Sequence, residues 1–452
     1  MTSIHDVVAR QRSVLDAAVP TDRRMHPDRW VAADFASVTR EQMLRDFWGS
    51  EVPGSGAYDE MLTGAVVAAH QLGWETQAAC TEIGYGWDRL LHGQAEPAWF
   101  SDQAERVLGT LERGRPPIDD VRSAPLGDAT RILTLLPGVE DRMLASWQGK
   151  VAGGAFGTAL EGCRGPAIAS VYGSVHAYVA PPTTLNDDVV YELVALDVLA
   201  GVGIDARIED YGAAWRARIP FGWSAEWIAL DNLSSGLPAS QVGEVRNPMN
   251  EWIGAQMRAM VFGQLSPGDP GQAGRLARVD ASLSHRGAGI EGAAFAAILC
   301  ALSFHTDDVR QVIRLAIDAL APSLYRNEVL QMFALCEGVE CFDEAWTSIV
   351  GRYPNHNWIH CLPNIGAVLS ALWFGESDIS TSFSLLARAG LDVDCNAGLV
   401  GTVLGACTAH LPLIWTEPLE DRIDTYLPDL PTLRISDAAE RTLAVSASWL
   451  RR

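Results

Sequence analysis

The amino-acid sequence predicts an all-α protein. Apolar residues recur at three- and four-residue spacing over most of the chain, as in 58–72, 270–284 and 323–336, and this spacing places them on one face of a helix. We find no convincing alternation of apolar and polar residues of the kind that half-buried strands show. The chain has 452 residues, of which 48% are hydrophobic and 15 are Trp, so it can bury a large core.

The predicted helices are separated by clusters of glycine, proline and other helix breakers. An apolar, helix-like run also follows each of two acidic pairs, and the first of these runs ends near residue 200. In chain order, the other predicted helices span 39–48, 58–72, 75–91, 101–113, 251–263, 270–284, 288–304, 307–320, 323–336, 362–374, 396–409 and 436–450.

Two segments divide the predicted helices. Breakers cluster in 114–127 (GRPPIDDVRSAPLG), which predicts an N-terminal helical region of residues 1–135 and a main domain of residues 136–452. Residues 218–250 are rich in Gly, Pro, Asn and Ser and predict long loops, which in compact domains usually have a function.

Charge and cysteine content favour some classes of protein over others. A net charge of -22 disfavours binding to nucleic acid and to anionic membranes. Eight cysteines without a CxxC pair indicate a reducing, cytoplasmic compartment. The N-terminus lacks the apolar core of a signal peptide, and the longest apolar stretch, 292–304, is too short to cross a bilayer. Arginine, alanine and glycine dominate over lysine, which suggests a GC-rich, bacterial genome.

Two acidic pairs carry the most information about function. Asp187 and Asp188 precede one apolar helical run, and Asp392 and Asp394 precede another, more than 200 positions later. Four carboxylates that converge on one pocket would repel one another and would need a cation. Oxygen ligands on short side chains suit magnesium or calcium. The pairs therefore predict a metal centre if they meet in the fold.

The alternative interpretation of each pair is helix capping. Asn186 is a favourable N-cap residue, and acids in the first turn complement the helix dipole. If the two pairs lie on separate surfaces, capping is sufficient to explain them.

Five motifs in a fixed order resemble those of the ADP-ribosylglycohydrolase family, which includes the enzyme that removes ADP-ribose from dinitrogenase reductase. The resemblance covers roughly residues 140–410 and points to a longer branch of the family, in which residues 1–135 form an additional helical segment. The motifs are GGAFGTALEG (153–162), NDD (186–188), GAQMR (254–258), SH (284–285) and DVDCNAG (392–398).

The resemblance implies an orthogonal helical bundle with one or two Mg²⁺ ions in a central cleft. Cys395 stands where the family has threonine, and its soft sulfur suits magnesium poorly. The residues that the resemblance assigns to the metal are Asn186, Asp187, Asp188, Asp392 and Asp394.

The resemblance also assigns the remaining site residues. Glu161 matches the family's glutamate and is expected to position or deprotonate water; Asp187 and Asp394 complete the expected catalytic set. Trp252, Ile253 and Gly254 replace the family's Gly-Asn-Gly phosphate loop. The expected substrate contacts are Trp252, Gly254, Arg258 and His285, although an arginine or histidine in such positions is more often ion-paired or a cap.

Two further segments are candidates for the cleft. Trp223 and Trp227 are candidates for stacking on a base, although core packing is the commoner role of tryptophan. We expect residues 163–183, between Glu161 and the first acidic pair, to line the cleft.

Three functions follow from these residues. The first is a metal-dependent hydrolase that cleaves the bond between a ribosyl or ADP-ribosyl group and nitrogen, on a modified protein or a small molecule. The second is an N-ribosidase that acts on a small nucleoside or nucleotide metabolite of a specialised biosynthetic pathway, which the altered phosphate loop favours. The third is a non-catalytic ligand-binding descendant of the family.

Overall fold

The computed structural model describes residues 2–20, 58–92, 97–116 and 132–449. Over these residues nearly all of the regular secondary structure is helical, which confirms the all-α prediction. The helix predicted at 39–48 lies outside the described residues. The helices are α1 (Ile4–Ala17), α2 (Tyr58–Gln71), α3 (Gln77–Leu91), α4 (Pro97–Arg113), α5 (Val139–Gly157), α6 (Gly165–Tyr172), α7 (Asp187–Val202), α8 (Ile208–Arg218), α9 (Ser224–Ser234), α10 (Ala239–Val242), α11 (Gly254–Met257), α12 (Met260–Leu265), α13 (Pro270–Ala281), α14 (Gly287–Ser303), α15 (Val309–Ala319), α16 (Leu324–Glu337), α17 (Phe342–Val350), α18 (Cys361–Gly375), α19 (Ile379–Ala389), α20 (Val393–Thr408), α21 (Leu413–Thr416) and α22 (Ile435–Trp449), with a short 3₁₀ turn at Glu417–Leu419.

Helices α5 and α20 form the centre of the fold, and glycine allows their backbones to touch. A Cβ atom on Gly149 would lie 2.0 Å from the carbonyl oxygen of Gly401, and one on Gly157 would lie 2.1 Å from Cα of Asp394. Real Cβ atoms do not approach backbone this closely, so only glycine fits at these positions. The small-residue segment at 147–166 is therefore a helix-packing surface, and it brings α5 against the start of α20.

Helix α14 is buried over almost its whole length, from Gly289 to Ser303. It packs against α11, α12, α13 and α20. The apolar stretch at 292–304 is thus a core helix, as expected for an apolar run that is too short to span a bilayer. Among the described residues, no helix has both the length and the apolar composition that membrane crossing requires.

Two small antiparallel sheets interrupt the helices. Strand β1 (Cys163–Arg164) pairs with β2 (Gly390–Leu391), and β3 (Arg422–Asp424) pairs with β4 (Thr432–Arg434). Strands of two or three residues are too short to show alternation in a sequence. The first sheet matters for the site because it joins the segment after α5 to the segment before α20.

The segment 218–250, predicted as long loops, contains helices α9 and α10 instead. Helix α9 is buried along most of its length and packs against α8, α10 and α11. Packing therefore stabilises a helix here in spite of the loop-forming residues around it. The segment 163–183, which we expected to line the cleft, contains α6.

The N-terminal helices contact the rest of the chain through polar and apolar side chains. Gln11 donates a hydrogen bond to the carbonyl oxygen of Asn355 over 3.2 Å, and Arg164 donates to Asp16 over 2.6 Å. A Cβ atom on Gly64 would lie 2.8 Å from the Trp252 ring. The division at residue 135 stays a prediction.

Candidate active site

The first acidic pair begins helix α7. Asp187 and Asp188 are its first two residues, and the side chain of Asn186 accepts a hydrogen bond from the Asp188 backbone N–H over 2.8 Å. Asn186 is thus the N-cap that the sequence predicts. Asp188 is buried, whereas Asp187 is partly exposed.

The second acidic pair begins helix α20 in a strained loop. Leu391, immediately before Asp392, has a φ of 68° and is nonetheless not glycine, which costs energy and is typical of functional segments. Asn364 of α18 fixes this loop, since its Oδ1 accepts from the Asp392 N–H over 3.3 Å and from the Asn396 amide over 2.8 Å. The N-cap residue of α18 is His360, whose side chain accepts from the Leu362 N–H.

The two pairs meet. The amide nitrogen of Asn186 donates to Oδ2 of Asp394 over 3.0 Å, so the starts of α7 and α20 are adjacent. Capping alone would not require this convergence. Potential metal ligands form two compact groups, and within each group the ligand atoms lie within 4.8 Å of one another. They are a buried cluster of Asp188, Asp394 and Cys395 and a cleft cluster of Glu161, Asp392 and Asp394.

Glu161 reaches this site because of the sheet between β1 and β2. Its neighbour Gly162 donates a backbone hydrogen bond to the carbonyl oxygen of Leu391 over 2.8 Å. This contact holds the end of the α5 segment beside Asp392. The sequence alone does not show this contact, because a two-residue strand leaves no pattern.

The acids of the site raise one another's pKa values. Desolvation, together with the charges of Asp394 and Asp392, raises the pKa of Glu161 well above its usual range. Desolvation and neighbouring acids act in the same direction on the pKa values of Asp187 and Asp392. Without a nearby positive charge, these carboxyl groups favour the protonated, neutral form.

The residues present fit a divalent cation in the cleft cluster. Oδ1 of Asp392 and Oδ1 of Asp394 are buried and have no hydrogen-bond partner among the described residues. Buried carboxylate oxygens need a partner, and hard oxygen donors are the ligands that magnesium and calcium prefer. The thiol of Cys395 instead donates to Oδ1 of Asp188 over 3.5 Å, and burial raises its pKa, so the sulfur stays protonated.

Lys150, the only lysine of the chain, lies beside the buried cluster. Its ammonium group donates to Oδ2 of Asp188 over 3.0 Å and to the carbonyl oxygen of Met257 over 2.7 Å. Burial alone would lower the pKa of Lys150, but the charges of Asp188 and Glu192 outweigh it and raise the pKa. Burial raises the pKa of Asp188 to about 6, and Lys150 limits this rise. Sequence analysis did not assign Lys150 to the site.

The acids line a cleft of about 780 Å³, counted with the part open to solvent. Its wall combines the carboxylates with aromatic side chains, which suits a sugar or base. Of the two candidate stacking residues, Trp223 belongs to this wall and Trp227 does not, and the wall includes no residue of 163–183. Stacking of Trp223 on a base stays a prediction. The lining residues include Thr158, Glu161, Asn186, Asp187, Trp223, Ser224, Glu226, Gly254, Trp358, Asp392, Asp394 and Tyr426.

Glu226 is a candidate functional residue that sequence analysis missed. It lies in α9, two residues after Ser224. The backbone of Ser224 has a φ of 41°, which is strained for a residue other than glycine. Burial raises the pKa of Glu226 to about 7, although Arg258 opposes the rise. The sequence places Glu226 in a segment whose Gly, Pro, Asn and Ser content predicts loops, so it gives no sign of a buried acid there.

Arg258 and His285 lie behind the cleft wall. Arg258 donates to Glu226 over 2.5 Å and to Asp280 over 2.7 Å, and it is 1% exposed. His285 is fully buried; its ring contacts Ser284 over 2.7 Å and accepts from the Ala255 N–H over 3.3 Å. Burial lowers the pKa of His285 well below its usual range, so the ring is neutral. Direct contact of either residue with substrate stays a prediction; their positions favour support of Glu226.

Trp252 is also buried, and its ring packs on Gly64 of α2. Gly254, by contrast, lines the cleft. A Cβ atom on Gly254 would lie 2.2 Å from Oε1 of Glu226, so glycine is needed for this approach. The carboxylate of Glu226 therefore packs against the segment that the resemblance aligns with the family's phosphate loop.

A family model described as ADP-ribosylglycohydrolase matches residues 136–449. The chain belongs to this family. The match begins just after the predicted N-terminal region and includes both acidic pairs.

A solved structure described as "ADP-ribosylglycohydrolase-related protein complex" has the same fold as this ADP-ribosylglycohydrolase family member. The two are 20% identical with a TM-score of 0.50, and the match covers 69% of this chain and 99% of the other. A comparison with curated proteins gives no match. The structural match supports the predicted bundle of the ADP-ribosylglycohydrolase type.

Proposed function

We propose that this ADP-ribosylglycohydrolase family member is a magnesium-dependent hydrolase of the bond between a ribosyl group and nitrogen. The proposal depends on two buried oxygens, one of Asp392 and one of Asp394, that have no hydrogen-bond partner among the residues the structure describes. They lie beside Glu161 at one wall of the cleft. Asn186 and Asp187 line the same cleft. The carboxylates of Asp187, Asp392 and Asp394 would hold the ion from the starts of α7 and α20, and Asn186 would orient Asp394 through its hydrogen bond.

Hydrolysis adds water to C1′ of the ribose and breaks the bond from C1′ to nitrogen, through a transition state with oxocarbenium character. A bound divalent ion supplies Lewis acidity toward the ribose hydroxyls and water. Glu161 accepts the proton that the attacking water loses. Glu226, with a pKa of about 7, donates a proton to the leaving nitrogen, which suits a general acid near neutral pH. Trp223 and Tyr426 contact the sugar or the group attached to it.

Arg258 positions Glu226 in this mechanism. It binds Glu226 on one side and Asp280 on the other, and its guanidinium carbon lies 4.7 Å from the Trp215 ring centroid. Such a doubly paired arginine has little freedom to move. Ser284 also accepts a hydrogen bond from Arg258 over 2.9 Å.

A small N-riboside is the second candidate substrate, and one observation favours it over an ADP-ribosylated protein. The carboxylate of Glu226 packs against Gly254, where the resemblance places the loop that approaches a diphosphate. A carboxylate there repels a diphosphate whenever it is ionised. A substrate with one phosphate or none avoids this repulsion.

The experiment compares ADP-ribosyl-arginine with small N-ribosides, each with Mg²⁺ and with EDTA. Release of free ribose or ribose phosphate that requires Mg²⁺ and is lost in Asp392→Asn supports hydrolysis of a small substrate. Release of ADP-ribose supports the ADP-ribosyl substrate. If Mg²⁺ neither supports turnover nor shifts the melting temperature, the chain is a non-catalytic descendant.

A further inference from the structure

The acids of the site form two clusters with different exposure. Glu161, Asp392 and Asp394 line the cleft. Asp188, in the second cluster with Asp394 and Cys395, is 1% exposed and is absent from the cleft wall. A divalent ion in each cluster would share Asp394 between them.

The buried cluster already contains a cation. Nζ of Lys150 is 3.0 Å from Oδ2 of Asp188, and both side chains are buried, 0% and 1% exposed respectively. The other oxygen of Asp188 accepts from the Cys395 thiol. Both oxygens of Asp188 therefore have donors, in contrast to Oδ1 of Asp392 and of Asp394.

The surroundings of Lys150 are shaped to hold an ammonium group. The carbonyl oxygen of Met257, at the C-terminal end of α11, accepts its second hydrogen bond over 2.7 Å. Glu192, one turn after Asp188 on α7, adds a second buried carboxylate nearby. A Cβ atom on Gly398 would lie 3.2 Å from Nζ, so glycine at this position leaves room for the lysine.

We propose that the ammonium group of Lys150 replaces a second divalent ion, so that the chain binds a single ion, in the cleft cluster of Glu161, Asp392 and Asp394. This inference rests on the proposed metal-dependent function. The ammonium group of Lys150 neutralises the negative charge of Asp188, and unlike a bound ion it cannot dissociate from the protein. A divalent ion at Asp188 would lie next to this buried ammonium, and repulsion between the two cations would exclude the ion.

The test is to count bound ions on the full-length chain with Mn²⁺ as the probe. Calorimetric titration gives the number of ions per chain. Electron paramagnetic resonance separates a lone Mn²⁺, which gives a six-line signal, from two ions bridged by Asp394, whose spins couple. Neither measurement depends on turnover.

We expect one Mn²⁺ per wild-type chain, with an uncoupled signal. Lys150→Ala is expected to bind two ions with a coupled signal, because it frees Asp188 and makes space. Lys150→Met replaces it if the alanine variant does not fold. Glu192→Gln is the matched control; it alters a buried acid near Lys150, leaves the pair with Asp188 intact, and is expected to bind one ion.

Two ions on the wild-type chain would overturn the inference and leave the proposed hydrolase function standing. A single ion in both Lys150 variants would also overturn it, since the lysine would then not be what excludes the second ion. Two ions in Glu192→Gln would overturn it as well, because a second ion would then bind while Lys150 still pairs with Asp188. If no ion binds to the wild-type chain, both this inference and the metal-dependent function are wrong.

Discussion

Asn186 donates a hydrogen bond to Asp394 across 208 positions of sequence, over 3.0 Å. The same side chain caps α7 by accepting from the Asp188 N–H. One amide therefore satisfies the start of one helix with its oxygen and orients a proposed metal ligand on another with its nitrogen. Such supporting hydrogen bonds set the geometry of metal ligands.

Replacing Asn186 separates these two roles. Asn186→Ser keeps an N-cap hydroxyl but is too short to reach Asp394, so we expect unfolding stability within a few tenths of a kcal/mol and Mn²⁺ affinity about 10- to 100-fold lower. Asn186→Ala loses both roles and is expected to lose about 1 kcal/mol as well. Calorimetric titration and chemical denaturation measure the two effects. Equal Mn²⁺ affinity in wild type and serine variant would contradict the orienting role.

The contact between α5 and α20 gives a prediction about stability. In Gly149→Ala the new methyl would lie 2.0 Å from the Gly401 carbonyl oxygen, so the helices must separate, at a cost of about 3 kcal/mol or more. Because this contact positions α20, we also expect weaker metal binding. Urea denaturation measures the first effect.

Gly201→Ala is the matched control for that substitution. Gly201 is also helical, but its Cβ would meet no atom within 4 Å. Alanine there is expected to raise stability by about 0.5–1 kcal/mol. An equal change in the free energy of unfolding in both variants would contradict the close packing at Gly149.

The pH dependence of the metal-free protein follows from its raised carboxyl pKa values. Glu161, Asp187 and Asp392 have folded-state pKa values above their ordinary values, so the folded state binds protons more tightly than the unfolded state. Their contribution is complete below about pH 4 and is lost as pH rises through the folded pKa values. Stability in EDTA should therefore be higher at pH 5.5 than at pH 8.

Mg²⁺ should reverse this trend. Ion binding requires ionised carboxylates, so stabilisation by Mg²⁺ is expected to increase from pH 5.5 to pH 8. Melting curves at both pH values, with Mg²⁺ and with EDTA, measure the difference. The same comparison in Asp392→Asn is expected to show a smaller effect of Mg²⁺. A Mg²⁺ effect that is independent of pH would count against carboxylate ligands.

The sequence predicts the helices of this fold far better than the contacts within its site. Helix α14 is apolar on every side, so its sequence predicts a helix, whereas the serine and proline residues around α9 predict a loop. The sequence shows the two acidic pairs, but only the resemblance to the family predicts that they meet in one cleft. Lys150 and Glu226 were not predicted, because only the packing of α5 on α20 and the approach of Gly254 bring them to the site.

Glu226 gives the prediction that distinguishes a catalytic acid from a structural one. Burial raises its pKa to about 7, so the protonated form that donates to the leaving nitrogen disappears as pH rises through 7. We expect kcat to fall on the alkaline side with an apparent pKa near this value. Glu226→Gln keeps an oxygen for Arg258 but has no acidic proton, so we expect a kcat about 10²- to 10⁴-fold lower. We also expect the fall of kcat on the alkaline side to disappear. If kcat of the variant is lower but still falls on the alkaline side with the same apparent pKa, Glu226 has a structural role and another group titrates.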